Sequence, residues 1–98
     1  MDLQIEHERT AGGGRYFVRI EGSDRDAELT YAVRGDHLIS ANHTYTPRAL
    51  RGQGIARALV ERMVADARAE GRRILPVCPY VRELFAGHPD WADVAAQP

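Results

Sequence analysis

The sequence predicts an α/β (α+β) domain, with a mostly antiparallel, mixed sheet of about five strands and two main helices. Three observations predict it. Apolar and polar residues alternate through the first half, as on strands with one buried face; the period changes to 3.6 after Pro47; and a short apolar run, Ile74 to Val77, separates two helical segments. The 98 residues make one domain, 1–98, large enough for a single core and no more.

The first strand is expected near Leu3 to Arg9, with Gly12, Gly13 and Gly14 as the turn that follows it. Tyr16, Val18 and Ile20 then alternate with Arg15, Arg19 and Glu21, and only Phe17 breaks the polar face. A polar turn at Ser23 to Asp26 leads to Leu29, Tyr31 and Val33. Gly35-Asp36 is expected to supply the positive φ of a tight turn. A third run, His37 to Tyr45, puts Ile39, Ala41, His43 and Tyr45 on one face and Leu38, Ser40, Asn42 and Thr44 on the other. Short turns between successive runs favour an antiparallel meander.

Ile55, Ala56, Leu59, Val60, Met63, Val64 and Ala67 then recur at helical spacing, and Gly71 stands at the left-handed C-cap position. A helix of roughly 16–18 residues follows. In the strand at Ile74 to Val77, Pro76 removes a ladder donor and belongs where pairing fails. Pro79 suits the first position of a second helix, which carries Tyr80, Val81, Leu84 and Phe85 inward and stops at Gly87. Asp90 is expected to cap a last turn holding Trp91 and Val94.

Composition narrows the partners. Thirteen basic residues, all Arg, against 14 acidic ones leave a net charge of -1, without the basic excess that a phosphate backbone attracts. Nucleic acid is therefore not an expected partner. A lone Cys78 has no internal disulfide partner and suits a reducing compartment, so a cytoplasmic location is expected. No apolar stretch follows Met1 and no apolar run is long enough to span a bilayer, so no membrane partner is expected. His7, His37, His88 and Cys78 lack metal-ligand spacing, and no metal is expected.

The segment richest in chemistry is Arg51-Gly52-Gln53-Gly54-Ile55-Ala56, which joins the third long strand to the first helix. Helix N-terminal amides have no partner inside the helix, and the macrodipole makes that end positive, so an anion there is stabilised. Gly52 and Gly54 allow close backbone approach, and Arg48, Arg51 and Arg57 add cations that can pair with phosphate oxygens. A glycine-rich turn that only caps the helix is the other reading of the same residues.

Arg51-x-x-Gly54-x-Ala56 resembles the (Gln/Arg)-x-x-Gly-x-(Gly/Ala) pyrophosphate loop of the GCN5-related N-acetyltransferases. His43-Thr44-Tyr45-Thr46-Pro47 before it, Pro76-Val77-Cys78-Pro79-Tyr80-Val81 after it, and the trailing His88-Pro89-Asp90-Trp91 resemble the abridged branch of that superfamily. The resemblance covers nearly the whole chain. It implies a minimal fold of that family, in which the strand ending near Tyr45 and the strand of Ile74 to Val77 run parallel and splay apart.

It further implies acetyl-coenzyme A as co-substrate and an amine, small molecule or protein, as acceptor. The pyrophosphate would rest on Gln53, Gly54, Ile55 and Ala56, with Gly52 giving room and Arg48 and Arg51 adding charge. The pantetheine arm would pair with backbone near Thr44, Tyr45 and Thr46. Gly22 to Asp26 is too short for the family's usual first two helices, which leaves the acceptor side open.

By the same resemblance Cys78 and His43 form a reactive pair at the ends of the splayed strands, and Tyr80 protonates the departing thiolate. A thiol with an ordinary pKa of about 8.5 gains nucleophilicity beside an imidazole or a helix N-terminus, and Cys78 immediately precedes Pro79. Neutral imidazole is the commonest general base. The same side chains also read as a small buried thiol, a hydrogen-bonded strand histidine and a packed tyrosine. Two routes stay open: direct attack by the amine, and acetylation of Cys78 followed by transfer. The rival from another class is a module that binds coenzyme A or an acyl form of it without turnover.

Overall fold

The alternating runs pair as one sheet in simple sequence order: β1 (Glu6–Thr10), β2 (Gly13–Val18), β3 (Ala27–Gly35), β4 (Leu38–Tyr45) and, after a helix, β5 (Arg73–Pro76). The structure, a computed structural model, describes residues 3–96. β1 to β4 are antiparallel neighbours, whereas β5 lies parallel to β4, so the chain crosses over between them through α1 (Ile55–Glu70). A second helix, α2 (Pro79–Ala86), follows β5, and short 3₁₀ turns occupy Arg48–Leu50 and Pro89–Val94.

The core lies between one sheet face and α1. Tyr16, Leu29, Tyr31, Ile39 and Ala41 supply the sheet side; Ile55, Leu59, Val60, Met63, Val64 and Ala67 supply the helix side, and all are buried. Burial of each large side chain such as Leu59 or Met63 contributes about 1.5–3 kcal/mol. Gly71 ends α1 with φ 69°, and the Arg72 amide returns to the Ala67 carbonyl at 2.9 Å, the left-handed stop that the sequence predicts. Phe17 is buried on the other face of the sheet, beneath the Arg15 guanidinium at 3.9 Å. The arginine's own charge is met by Glu8, Asp26 and Glu28.

Several expectations are corrected. β1 begins at Glu6, while Leu3 and Ile5 pack at the edge of the core. Gly13 and Gly14 belong to β2, not to the turn: a Cβ at Gly13 would run into the Tyr31 carbonyl, and one at Gly14 into the Glu8 carbonyl. Their lack of a side chain serves close strand approach. The β3–β4 loop is Asp36-His37, and neither Gly35 nor Asp36 has positive φ; Arg34 falls out of register instead, since Val33 pairs with Ile39 and Gly35 with Leu38. His88, not Asp90, precedes the last turn, and no side chain caps it.

The correction with most consequence lies in β4. Thr30 pairs with His43 and Tyr31 with Ala41, so Asn42 has no opposite number and is a β-bulge. Before it, Ile39 and Ala41 face the core. Beyond it Thr44 lies opposite buried Leu29 on the core face, whereas His43 and Tyr45 lie opposite Thr30 and Glu28 on the other face. The single set Ile39, Ala41, His43 and Tyr45 is thus broken, because a one-residue shift inverts a period of two.

Candidate functional site

β4 and β5 part at Pro76. Their parallel ladder ends at Ala41 and Pro76, and the Ala41 carbonyl accepts both the Val77 amide at 3.1 Å and the Cys78 amide at 2.9 Å. β5 then turns into α2 while β4 runs on to Tyr45, which opens a wedge. Pro76, with no N–H, cannot extend the ladder.

A cavity of about 530 Å³ occupies one side of this wedge. Of the residues expected to bind cofactor, Thr44, Tyr45, Thr46, Arg51, Gly52, Gly54, Ile55 and Ala56 line it; Arg48 and Gln53 do not, and both are exposed. Tyr80 and Leu84 of α2 close the far wall, joined by Leu50 and Arg57. Leu50 and Leu84 are additions that local periodicity does not separate from ordinary core positions.

The floor is the start of α1. Its N-cap, Gly54, has φ 82° and offers no side-chain cap, and its first turn contains no acidic residue. The first helical bond runs from the Ala58 amide to the Gly54 carbonyl at 3.0 Å, so the amides of Ile55, Ala56 and Arg57 have no partner within the helix. A Cβ at Gly52 or Gly54 would meet no protein atom within 4 Å; the space before both is open. Arg51, held by its Nε bond to the Thr46 carbonyl at 3.0 Å, and Arg57 add positive charge at an end that is already positive. The arrangement is unfavourable for the helix and favourable for a bound anion.

At the apex, the Thr44 hydroxyl and the Cys78 sulfur are 3.6 Å apart. Cys78 is 5% exposed and stands behind the cavity wall, not on it. Burial pushes its thiol up, but the Val81 amide, the Thr44 hydroxyl and the Tyr80 amide together outweigh it, and the thiol titrates below its ordinary value. Tyr80 is half-buried, and desolvation pushes its phenol up, so it keeps its proton at neutral pH.

His43 is not part of this cluster. It is exposed on the opposite sheet face and makes no side-chain hydrogen bond among the described residues. The expected His43–Cys78 pair is therefore not formed; Thr44 takes the place beside the sulfur, because of the bulge at Asn42.

Among the described residues no group of three metal-ligating side chains comes together, and no helix is long and apolar enough to cross a membrane. On the other side of α2 a cleft of about 610 Å³ is lined by Leu75, Pro76, Val77, Phe85 and Trp91. Its walls are mostly apolar, with Arg82 and His88 among them, and it lies away from the start of α1.

Comparisons with known proteins agree with this geometry. The fold matches the solution NMR structure of a GCN5-like protein from Staphylococcus aureus with a TM-score of 0.73, at 22% identity, over 95% of this chain and 89% of that one. Protein NATD1 of Bos taurus is 29% identical over 87 residues, 89% of this chain and 75% of its own length; NATD1 of Homo sapiens is 28% identical over the same share of this chain and 75% of its own. The family profile described as GCN5-related N-acetyl-transferase matches residues 15–94, which span the wedge, the glycine loop and both helices. With a splayed parallel strand pair above an uncapped, cationic helix start, and that profile running through all of it, the chain belongs to the GCN5-related N-acetyltransferase family.

Proposed function

We propose that the protein transfers an acetyl group from acetyl-coenzyme A to an amine, and that the uncapped start of α1 at the cavity floor carries this reading. Three free amides, two Cβ-free positions facing open space and two arginines fit a diphosphate. Ile55, Ala56 and Arg57 amides would hold it, and the backbone of β4 beyond Ala41, unpaired by β5, would hold the pantetheine amides.

The favoured route is direct transfer. The amine, free of its extra proton, attacks the acetyl carbonyl carbon; the carbon–sulfur bond breaks, and Tyr80 gives its phenolic proton to the departing sulfur and recovers one from solvent. The nitrogen's remaining proton passes to His43 or to water on the sheet face opposite α1. Direct transfer is favoured because Cys78 stands behind Thr44. The covalent route, acetyl-Cys78 followed by transfer, draws on the lowered titration of that thiol. A coenzyme A binder without turnover draws on the open acceptor side and the distance of His43 from the thiol. A cytoplasmic setting belongs to the same proposal.

Calorimetric titration with acetyl-coenzyme A tests binding, and thiol release with a panel of amines tests turnover. Saturable binding with amine-dependent release is the expected result. An acetyl adduct in the intact mass, lost in Cys78→Ala, establishes the covalent route; binding without release across the panel leaves the binder; no binding at millimolar ligand overturns the reading.

A further inference from the structure

The segment His88-Pro89-Asp90-Trp91 has no part in the chemistry above, yet His88, which lines the cleft on the other side of α2, touches Arg57 of the α1 cavity wall. Its Nε2 is 3.1 Å from the Arg57 guanidinium, 31 residues away in sequence. Its Nδ1 is 2.7 Å from the Leu84 carbonyl. A carbonyl only accepts and a guanidinium only donates, so the ring proton must be on Nδ1 and the lone pair on Nε2. The ring also lies flat on Trp91, with centroids 4.0 Å apart and an interplanar angle of 9°. Trp91 is itself buried in the core.

We infer that His88 is a positioning residue for anion binding: anchored by Leu84 and Trp91, it accepts from Arg57 and holds that guanidinium at the mouth of the α1 cavity. The inference rests on the proposed coenzyme A site. Arg57 needs such a holder. Its side chain is half exposed, its carboxylate neighbour Glu61 is at 3.5 Å along the helix, and a pairing with Glu61 alone would draw the cation away from the cavity and neutralise it. A neutral acceptor fixes the guanidinium without cancelling its charge, which leaves its other N–H groups for phosphate oxygens.

The test is a double-mutant cycle on coenzyme A affinity, measured by calorimetry. His88→Phe keeps a ring on Trp91 but has no acceptor; it should raise Kd roughly three- to tenfold, and should add nothing to the loss already caused by Arg57→Ala. His88→Gln, whose amide oxygen can take the Nε2 place, should recover part of the affinity, whereas His88→Asn should not. Equal losses from His88→Phe with and without Arg57 would overturn the inference, since a merely structural role acts independently of Arg57. So would a free protein whose His88 ring carries its proton on Nε2 in long-range ¹⁵N correlation spectra. Wild-type protein that fails to bind coenzyme A overturns the proposed function and this inference together; wild-type binding with unchanged affinity in His88→Phe overturns this inference alone.

Discussion

The hydroxyl of Thr44 and the sulfur of Cys78 lie 3.6 Å apart at the apex of the β4–β5 wedge, with Thr44 on the cavity wall and Cys78 behind it. The contact joins two residues 34 positions apart and gives the thiol a hydroxyl partner where an imidazole would be the usual activator.

That contact makes Thr44 answerable for the thiol's titration. In Thr44→Val the rate of Cys78 alkylation by iodoacetamide should rise with pH at a higher inflection than in wild type, and Thr44→Ser should restore it. An unmoved inflection would assign the lowered titration to the Val81 and Tyr80 amides alone.

Ala56 stands in the first turn of α1 and on the cavity wall. A carboxylate there suits the helix dipole by about 0.3–1 kcal/mol yet repels a bound diphosphate. Ala56→Glu should therefore keep or raise Tm while coenzyme A affinity falls at least about tenfold. Unchanged affinity would sink the proposed anion site.

Tyr80 is assigned the proton given to the leaving sulfur. Tyr80→Phe should lower kcat by about a hundredfold with coenzyme A affinity near wild type, since the phenyl ring still fills the wall. A loss confined to KM would instead make Tyr80 a wall residue only.

Close strand approach, not turn geometry, explains Gly13. Gly13→Ala should cost about 2–4 kcal/mol in denaturant unfolding, because its Cβ meets the Tyr31 backbone; Gly12→Ala, with open space and ordinary φ, should stay within about 0.5 kcal/mol. Equal effects would refute the packing argument.

His7 Nε2 and the Tyr31 hydroxyl share a hydrogen bond of 2.6 Å, and the ring stacks on Tyr16. Burial, then Arg9 and Arg62, pull its titration below the usual histidine value, while Asp66 and Glu70 oppose them. The unfolded chain therefore binds the proton first, and stability that is complete above about pH 6.5 should fall as pH drops below that value. His7→Gln should flatten this part of the Tm-against-pH curve; an identical slope would place the loss elsewhere.

Local chemistry wrote most of the element boundaries. Gly71 stops α1 because only a residue tolerant of positive φ fits there, and Pro79 opens α2 because its missing N–H is no loss at a helix start. The glycine loop before α1 is equally local, since neighbouring amides and glycines form it within one turn of chain. Facing was not local. Asn42 has no partner on β3, a fact about two strands in register, and this one extra residue turned His43 away from Cys78 and Thr44 toward it. Contacts between distant segments, Thr44 with Cys78 and Arg57 with His88, arise only when the sheet and both helices pack, because nothing in the intervening residues encodes which side chain arrives within bonding distance.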